Sequence, residues 1–173
     1  GVTQVGVDGT LAGDCSSSDL AIRGRTQLAL ANAFIEPQTL DGALDFDLRM
    51  NGAPGLPALS GKITAADARI TAPTANIALE RVNLRADLGQ SRVQLTTTGN
   101  FRGGGSLRLS GPIALTAPYA ADLRLDLNAA RLRDPQLYDT RISGGLRIAG
   151  PLTGGAMIRG ALTLAETGLR VPS

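Results

Sequence analysis

The sequence predicts an all-β fold built as a repetitive antiparallel sheet, and three observations carry that expectation. Apolar and polar residues alternate with period two in many short segments, the signature of strands with one buried face. The chain's 22 glycines and 9 prolines are above ordinary usage and punctuate those segments about every ten residues. Finally, the strand period covers even the stretches that could rival it as helix.

The clearest alternation is Leu44-Asp45-Phe46-Asp47-Leu48-Arg49-Met50-Asn51, apolar at every even position. Residues 74–88 hold many helix formers, and Ile77, Leu84 and Leu88 could share a helical face. Alternation from Val82 to Leu88 nevertheless pairs with Val93-Gln94-Leu95-Thr96 across the turn Gly89-Gln90-Ser91, which reads as a hairpin. Gly103-Gly104-Gly105 reads as a second hairpin loop, leading into Leu107-Arg108-Leu109-Ser110. Residues 117–133 carry alanine pairs compatible with a helical turn, yet Leu123-Arg124-Leu125-Asp126-Leu127-Asn128 again has period two. The rhythm returns in Leu146-Arg147-Ile148, Leu162-Thr163-Leu164 and Leu169-Arg170-Val171.

The chain also repeats itself. Residues 61–73 (GKITAADARITAP) align without a gap on 160–172 (GALTLAETGLRVP). Further back, Pro37-Gln38 matches Pro135-Gln136, Leu48-Arg49 matches Leu146-Arg147, and Gly52 matches Gly150. The internal repeat thus relates 37–73 to 135–172 within one domain spanning 1–173. Repetition of this kind suits a quasi-one-dimensional stack in which each strand adds to the last.

Composition narrows function. The chain has no histidine and one cysteine, Cys15, which removes the usual general base, most metal ligand sets and any intrachain disulfide. The expectation is a non-enzymatic protein without cofactor or metal. A formal charge of +2 from 17 basic and 15 acidic residues, with three Phe, two Tyr and no Trp, argues against a nucleic-acid partner. No apolar run approaches the roughly 20 residues that span a bilayer.

The strands are one-sided, so their apolar face must be covered by a second sheet, a helix or an apolar ligand. The candidate lining residues are Leu44, Phe46, Leu48, Met50, Leu107, Leu109, Leu123, Leu125, Leu127, Leu146, Ile148, Leu162 and Leu164. Periodicity alone reads them as the core of an ordinary sandwich, a structural or adhesive module with a closed core and no apolar ligand.

Two motifs add a second reading. Gly105-Ser106-Leu107-Arg108-Leu109-Ser110-Gly111-Pro112 echoes Gly144-Gly145-Leu146-Arg147-Ile148-Ala149-Gly150-Pro151, and both sit with the Gly-x-[Leu/Ile]-Thr-x-Ala-x-x-x-[Leu/Ile]-x-x-Pro segments already aligned. Over residues 35–173, most strongly 144–173, this pattern resembles the TamB family, which is related to the AsmA-like proteins. The resemblance implies a sheet curved into an open trough, a half-pipe with an apolar concave face lined by the thirteen residues above. It implies an internal or C-terminal piece of a longer envelope protein, in the periplasm and anchored in the inner membrane of a Gram-negative bacterium. The partners it implies are phospholipid or other acyl chains, a TamA-type barrel of the Omp85 family, and unfolded outer-membrane protein strands, including autotransporters. An exposed trough would also favour self-association of the piece.

Other features read more simply. Asp45 and Asp47 share a strand face and could form a carboxylate pair, but no further catalytic group accompanies them. Cys15 follows Asp14, which spoils a lipidation motif. Arg49, Arg108 and Arg147 recur after a leucine and read as cross-strand charge partners or as contacts for lipid headgroups. Gly103-Gly104-Gly105 lacks the lysine and helix of a phosphate loop.

Overall fold

The computed structural model describes residues 3–14, 16–134 and 138–169. Its strands are β1 (Gln4–Leu11), β2 (Ser18–Gln27), β3 (Thr39–Asp41), β4 (Ala43–Gly52), β5 (Leu59–Ala72), β6 (Ile77–Gly89), β7 (Arg92–Phe101), β8 (Ser106–Ala114), β9 (Ala120–Asp134), β10 (Tyr138–Pro151) and β11 (Met157–Leu169). Both segments with helical character, 74–88 and 117–133, are strand over most of their length. Leu28–Ala31 and Asn32–Ile35 form short helical turns between β2 and β3. Cys15, Pro135-Gln136 and Arg170-Val171, named in the sequence analysis, lie outside the described residues.

All strands join one antiparallel sheet in the order β1-β2-β4-β5-β6-β7-β8-β9-β10-β11, with β3 paired to β5. Apart from β3, each strand therefore lies beside the one before it on this path, the meander that short polar turns produce. The β6–β7 turn shows the local cause. Gln90 and Ser91 have φ of 52° and 56°, the pair of left-handed residues that matches the twist of a two-residue hairpin. β1 and β11 do not pair with each other, so the sheet curves into an open trough and stops short of a barrel.

Bulges keep one face apolar along strands longer than a simple alternation allows. The β5–β6 register shifts between Ala65 and Ala68, around Asp67 at φ 53°. The β6–β7 and β9–β10 registers shift beside Arg81 at φ 51° and Ala129 at φ 48°. Each bulge inserts one residue, which returns Ala68, Val82 and Ala130 to the apolar face. Leucine also stands repeatedly beside glycine: Leu48 pairs with Gly61 and Leu146 with Gly160. A Cβ on Gly61 would lie 2.2 Å from the Asp47 carbonyl oxygen, and one on Gly160 would lie 2.1 Å from that of Gly145.

Among the described residues the sheet has no second layer. Buried apolar residues are Ala65, Ala68, Val82, Ala86, Ala121, Leu123 and Ala130, and among the described residues no large side chain is fully enclosed. The accessible surface is 10708 Å², against about 8,000 Å² for a compact monomer of this mass. Burial comes mainly from neighbours on the same face of a curved sheet.

Candidate functional site

Directly opposed residues in antiparallel strands project to the same face, so the register fixes the site. Val5, Gly24, Phe46, Ile63, Ala86, Leu95 and Gly111 form one continuous line from β1 to β8. Leu123, Ile148 and Ile158 form the corresponding line on β9, β10 and β11. The β8–β9 pairings Leu107 with Leu127 and Leu109 with Leu125 join the two halves. At about 4.8 Å per strand, the ten strands of this path extend the face over about 43 Å.

All thirteen sequence-derived positions lie on this face. Leu44, Phe46, Leu48 and Met50 alternate along β4 and oppose Ala65, Ile63, Gly61 and Leu59. Leu125 opposes Leu146, and Leu123 opposes Ile148. Leu162 and Leu164 oppose Gly144 and Ile142. Their surroundings differ: Leu123 is buried, Leu162 and Leu164 are exposed, and the others are half-buried. Phe46 leans over Gly24, its ring carbon 2.8 Å from where a Cβ would stand, so the aromatic fills space the glycine leaves.

The face also holds residues absent from that set. Ile22, Ile63, Leu84, Leu88, Val93, Leu95 and Ile113 occupy the same rows. For Leu84, Leu88, Val93 and Leu95 the signal was the alternation already noted. Ile22 lies in a region where glycines and short apolar side chains dilute the pattern.

The opposite face is charged and solvated. Asp47 and Asp45 face Arg23 and Arg25 directly across β2–β4, with ion-pair distances of 2.9 and 3.6 Å. They are thus cross-strand partners of arginines. Arg85 binds Asp87 and Arg124 binds Asp126 within single strands. Arg147 donates from Nε and Nη2 to the two carboxylate oxygens of Asp122, 2.6 Å each. That forked hydrogen bond holds the Asp122 carboxyl below its ordinary range and raises Arg147. Arg147 is therefore a cross-strand charge partner, on the face turned away from the apolar rows. Arg108 shares that outer face, opposite Asp126, as does Arg49 by alternation along β4.

Gly103 and Gly104 lie in the β7–β8 turn, where Gly104 N–H donates to Phe101 O at 2.9 Å. Among the described residues, no group of His, Cys, Asp and Glu could hold a metal ion. No helix among them is long and apolar enough to cross a membrane.

Residues 94–172 match the family model of the TamB C-terminal domain. Residues 35–93, part of the stretch that resembles the family in sequence, lie outside that match. No curated protein and no solved structure gives a match.

Proposed function

Since residues 94–172 belong to the TamB family, we propose that this chain is a module of an envelope protein that holds acyl chains along its apolar face and thereby carries phospholipid between membranes. The observation that carries this reading is an apolar line running from strand to strand with no layer over it. Leu, Ile, Val, Ala and Phe side chains, with glycines between them, form that line, and each CH₂ buried against them contributes about 0.8 kcal/mol without a directional partner. The trough would therefore accept many lipids. Its length of about 43 Å exceeds the span of one acyl chain, about half of the roughly 30 Å hydrocarbon core of a bilayer, so a whole chain can lie against the apolar face. The match to the TamB C-terminal domain supports an envelope setting, and on this reading the module works in the periplasm, within an inner-membrane-anchored protein and beside a TamA-type barrel.

A second role in the same setting rests on the sheet edges. Val5 and Val7 on β1, and Met157, Ile158, Leu162 and Leu164 on β11, are exposed large apolar residues. An unfolded outer-membrane strand could extend either edge by backbone pairing. The closed-core module is disfavoured, since it requires a covering layer and the described residues form a single sheet.

Native mass spectrometry of the purified chain, followed by organic extraction, tests the leading role. The expected result is co-purifying phospholipid. Leu125→Asp places a charge mid-trough between Leu109 and Leu146, and should reduce bound lipid at least tenfold while the far-ultraviolet circular dichroism stays that of a sheet. Unchanged lipid occupancy in a folded variant would sink the proposal.

A further inference from the structure

One rim of the trough is interrupted. The β7–β8 hairpin is short: β7 ends at Phe101, and β8 begins at Ser106, opposite Asn128. β9 continues past it to Asp134, and β6 starts at Ile77, beyond the Leu79–Phe101 pair. A notch of about 290 Å³ results, walled by Thr71–Ala78 on one side and Arg131–Arg133 on the other, with the hairpin as its floor. Backbone bonds hold the walls: Arg102 N–H donates to Ala78 O at 2.9 Å, and Arg131 N–H to Gly104 O at 3.0 Å. The Asn76 side-chain amide donates to Arg133 O across the gap.

The notch has two chemistries. Ile77, Phe101 and Leu132 belong to the apolar face by register and alternation. Arg102, Arg131 and Arg133 stand at the outer mouth. Arg102 Nε donates to Glu80 at 2.9 Å. Arg131 and Arg133 approach the same Asp139 carboxylate, at 2.6 and 3.9 Å. Glu80 is held below the usual carboxylate range, first by the hydrogen bond from Arg102 and then by the charges of Arg102, Arg69 and Arg81. Guanidinium groups thus outnumber the carboxylates named here. They also reach the mouth from two directions, Arg102 from the hairpin floor and Arg131 and Arg133 from the β9 wall, which suits the diverging oxygens of a tetrahedral phosphate better than a planar carboxylate.

We propose that this notch binds a phosphate group through Arg102 and Arg133, with the apolar floor leading inward past Phe101. If the acyl-chain reading holds, the phosphate is a lipid headgroup whose chains enter the trough through the gap; the anion site itself does not depend on that reading.

The test measures binding to the whole chain of dihexanoyl phosphatidic acid, chain-matched dihexanoylglycerol, and inorganic phosphate, at low ionic strength. Arg102→Gln/Arg133→Gln is compared with Arg108→Gln/Arg159→Gln, which removes equal charge elsewhere. Wild type should bind the phosphatidic acid at least tenfold tighter than the diacylglycerol. The notch variant should bring the two within twofold, and the control variant should keep the preference. Inorganic phosphate that binds wild type and the control variant but not the notch variant, with no preference between the amphiphiles, would support the site with a free anion as its ligand. A phosphate preference that survives in the notch variant, or falls equally in both variants, overturns the proposal. Diacylglycerol binding reads the trough separately. Its absence with notch-dependent phosphate binding would sink the trough and spare the notch.

Discussion

Ile148 and Ile158 stand opposite each other on β10 and β11, on one face and of one residue type. Ile148 is half-buried, while Ile158 is 66% exposed. The difference is the number of neighbouring strands. Ile148 has Leu123 on its other side, whereas Ile158 sits on the edge. The same holds at the opposite edge, where Val7 on β1 is 61% exposed and its partner Ile22 on β2 is half-buried. In a two-layer protein, depth below the surface decides burial. In this single sheet, lateral neighbours decide it, so stability should concentrate in the middle strands and fade toward β1 and β11.

Truncation along one row gives the largest expected contrast. Leu123 is 7% exposed and flanked on both sides. Leu123→Ala should cost about 2–3 kcal/mol, the low end for a buried leucine because no layer closes over the cavity. Ile158→Ala should cost about 0.5 kcal/mol. Urea unfolding of both variants measures the difference. Equal losses would mean that β11 is flanked or covered as fully as β9 is by its neighbouring strands.

The paired glycines sharpen the comparison at the backbone. Gly61, at φ 121°, lies on β5 between β4 and β6, and its missing Cβ would meet the Asp47 carbonyl. Gly61→Ala must strain a conformation that L-residues rarely adopt and push apart a strand held on both sides, at about 2–3 kcal/mol. Gly160 has the same kind of clash and φ 153°, but among the described residues no strand pairs with the outer side of β11. Gly160→Ala should cost about 1 kcal/mol, and amide exchange in β11 should quicken while β5 stays protected. A Gly160 variant as damaging as the Gly61 variant would show that the edge is no looser than the middle.

Much of this fold was legible because period two survives wherever strands are one-sided. Alternation at 44–51, 82–88 and 123–128 marks β4, β6 and β9, and the thirteen apolar positions share a face because that parity continues through the register. Three features were not legible, each for a physical reason. The bulges rest on Asp67, Arg81 and Ala129 in the left-handed region; Arg and Ala give no local sign of φ above zero, and a single Asp gives only a weak one. β1 and β2 were missed because Gly6, Gly9 and Gly24 replace apolar or polar members of the pattern. The rim notch depends on strand lengths across β5 to β9, a relation between distant segments that no local window contains.

The smallest expected effect lies on the charged face, where the middle and the edge also differ. Arg147 stands directly between Arg124 and Arg159, and the forked bond to Asp122 offsets its charge. Arg124 has Asp126 at 3.0 Å, whereas Arg159 on the edge reaches, among the described residues, the Met157 sulfur at 3.6 Å. Because Asp122 is depressed below 3.8 in the folded chain, its contribution is fully present above the unfolded carboxylate value. It fades as pH falls through the lower folded value; Arg147, raised by the hydrogen bond to Asp122, stays charged throughout. Asp122→Asn should therefore lower the urea midpoint slightly at pH 7, with the gap to wild type closing below about pH 4 and narrowing in 1 M salt. Removing Asp122 also leaves Arg147 facing two like charges. In an Arg159→Gln background, the Asp122→Asn shift should shrink, because one of the opposed guanidiniums is gone. If the shift is unchanged in that background, β11 stands too loosely against β10 for its charge to be felt, and the edge is more independent than its backbone pairing indicates.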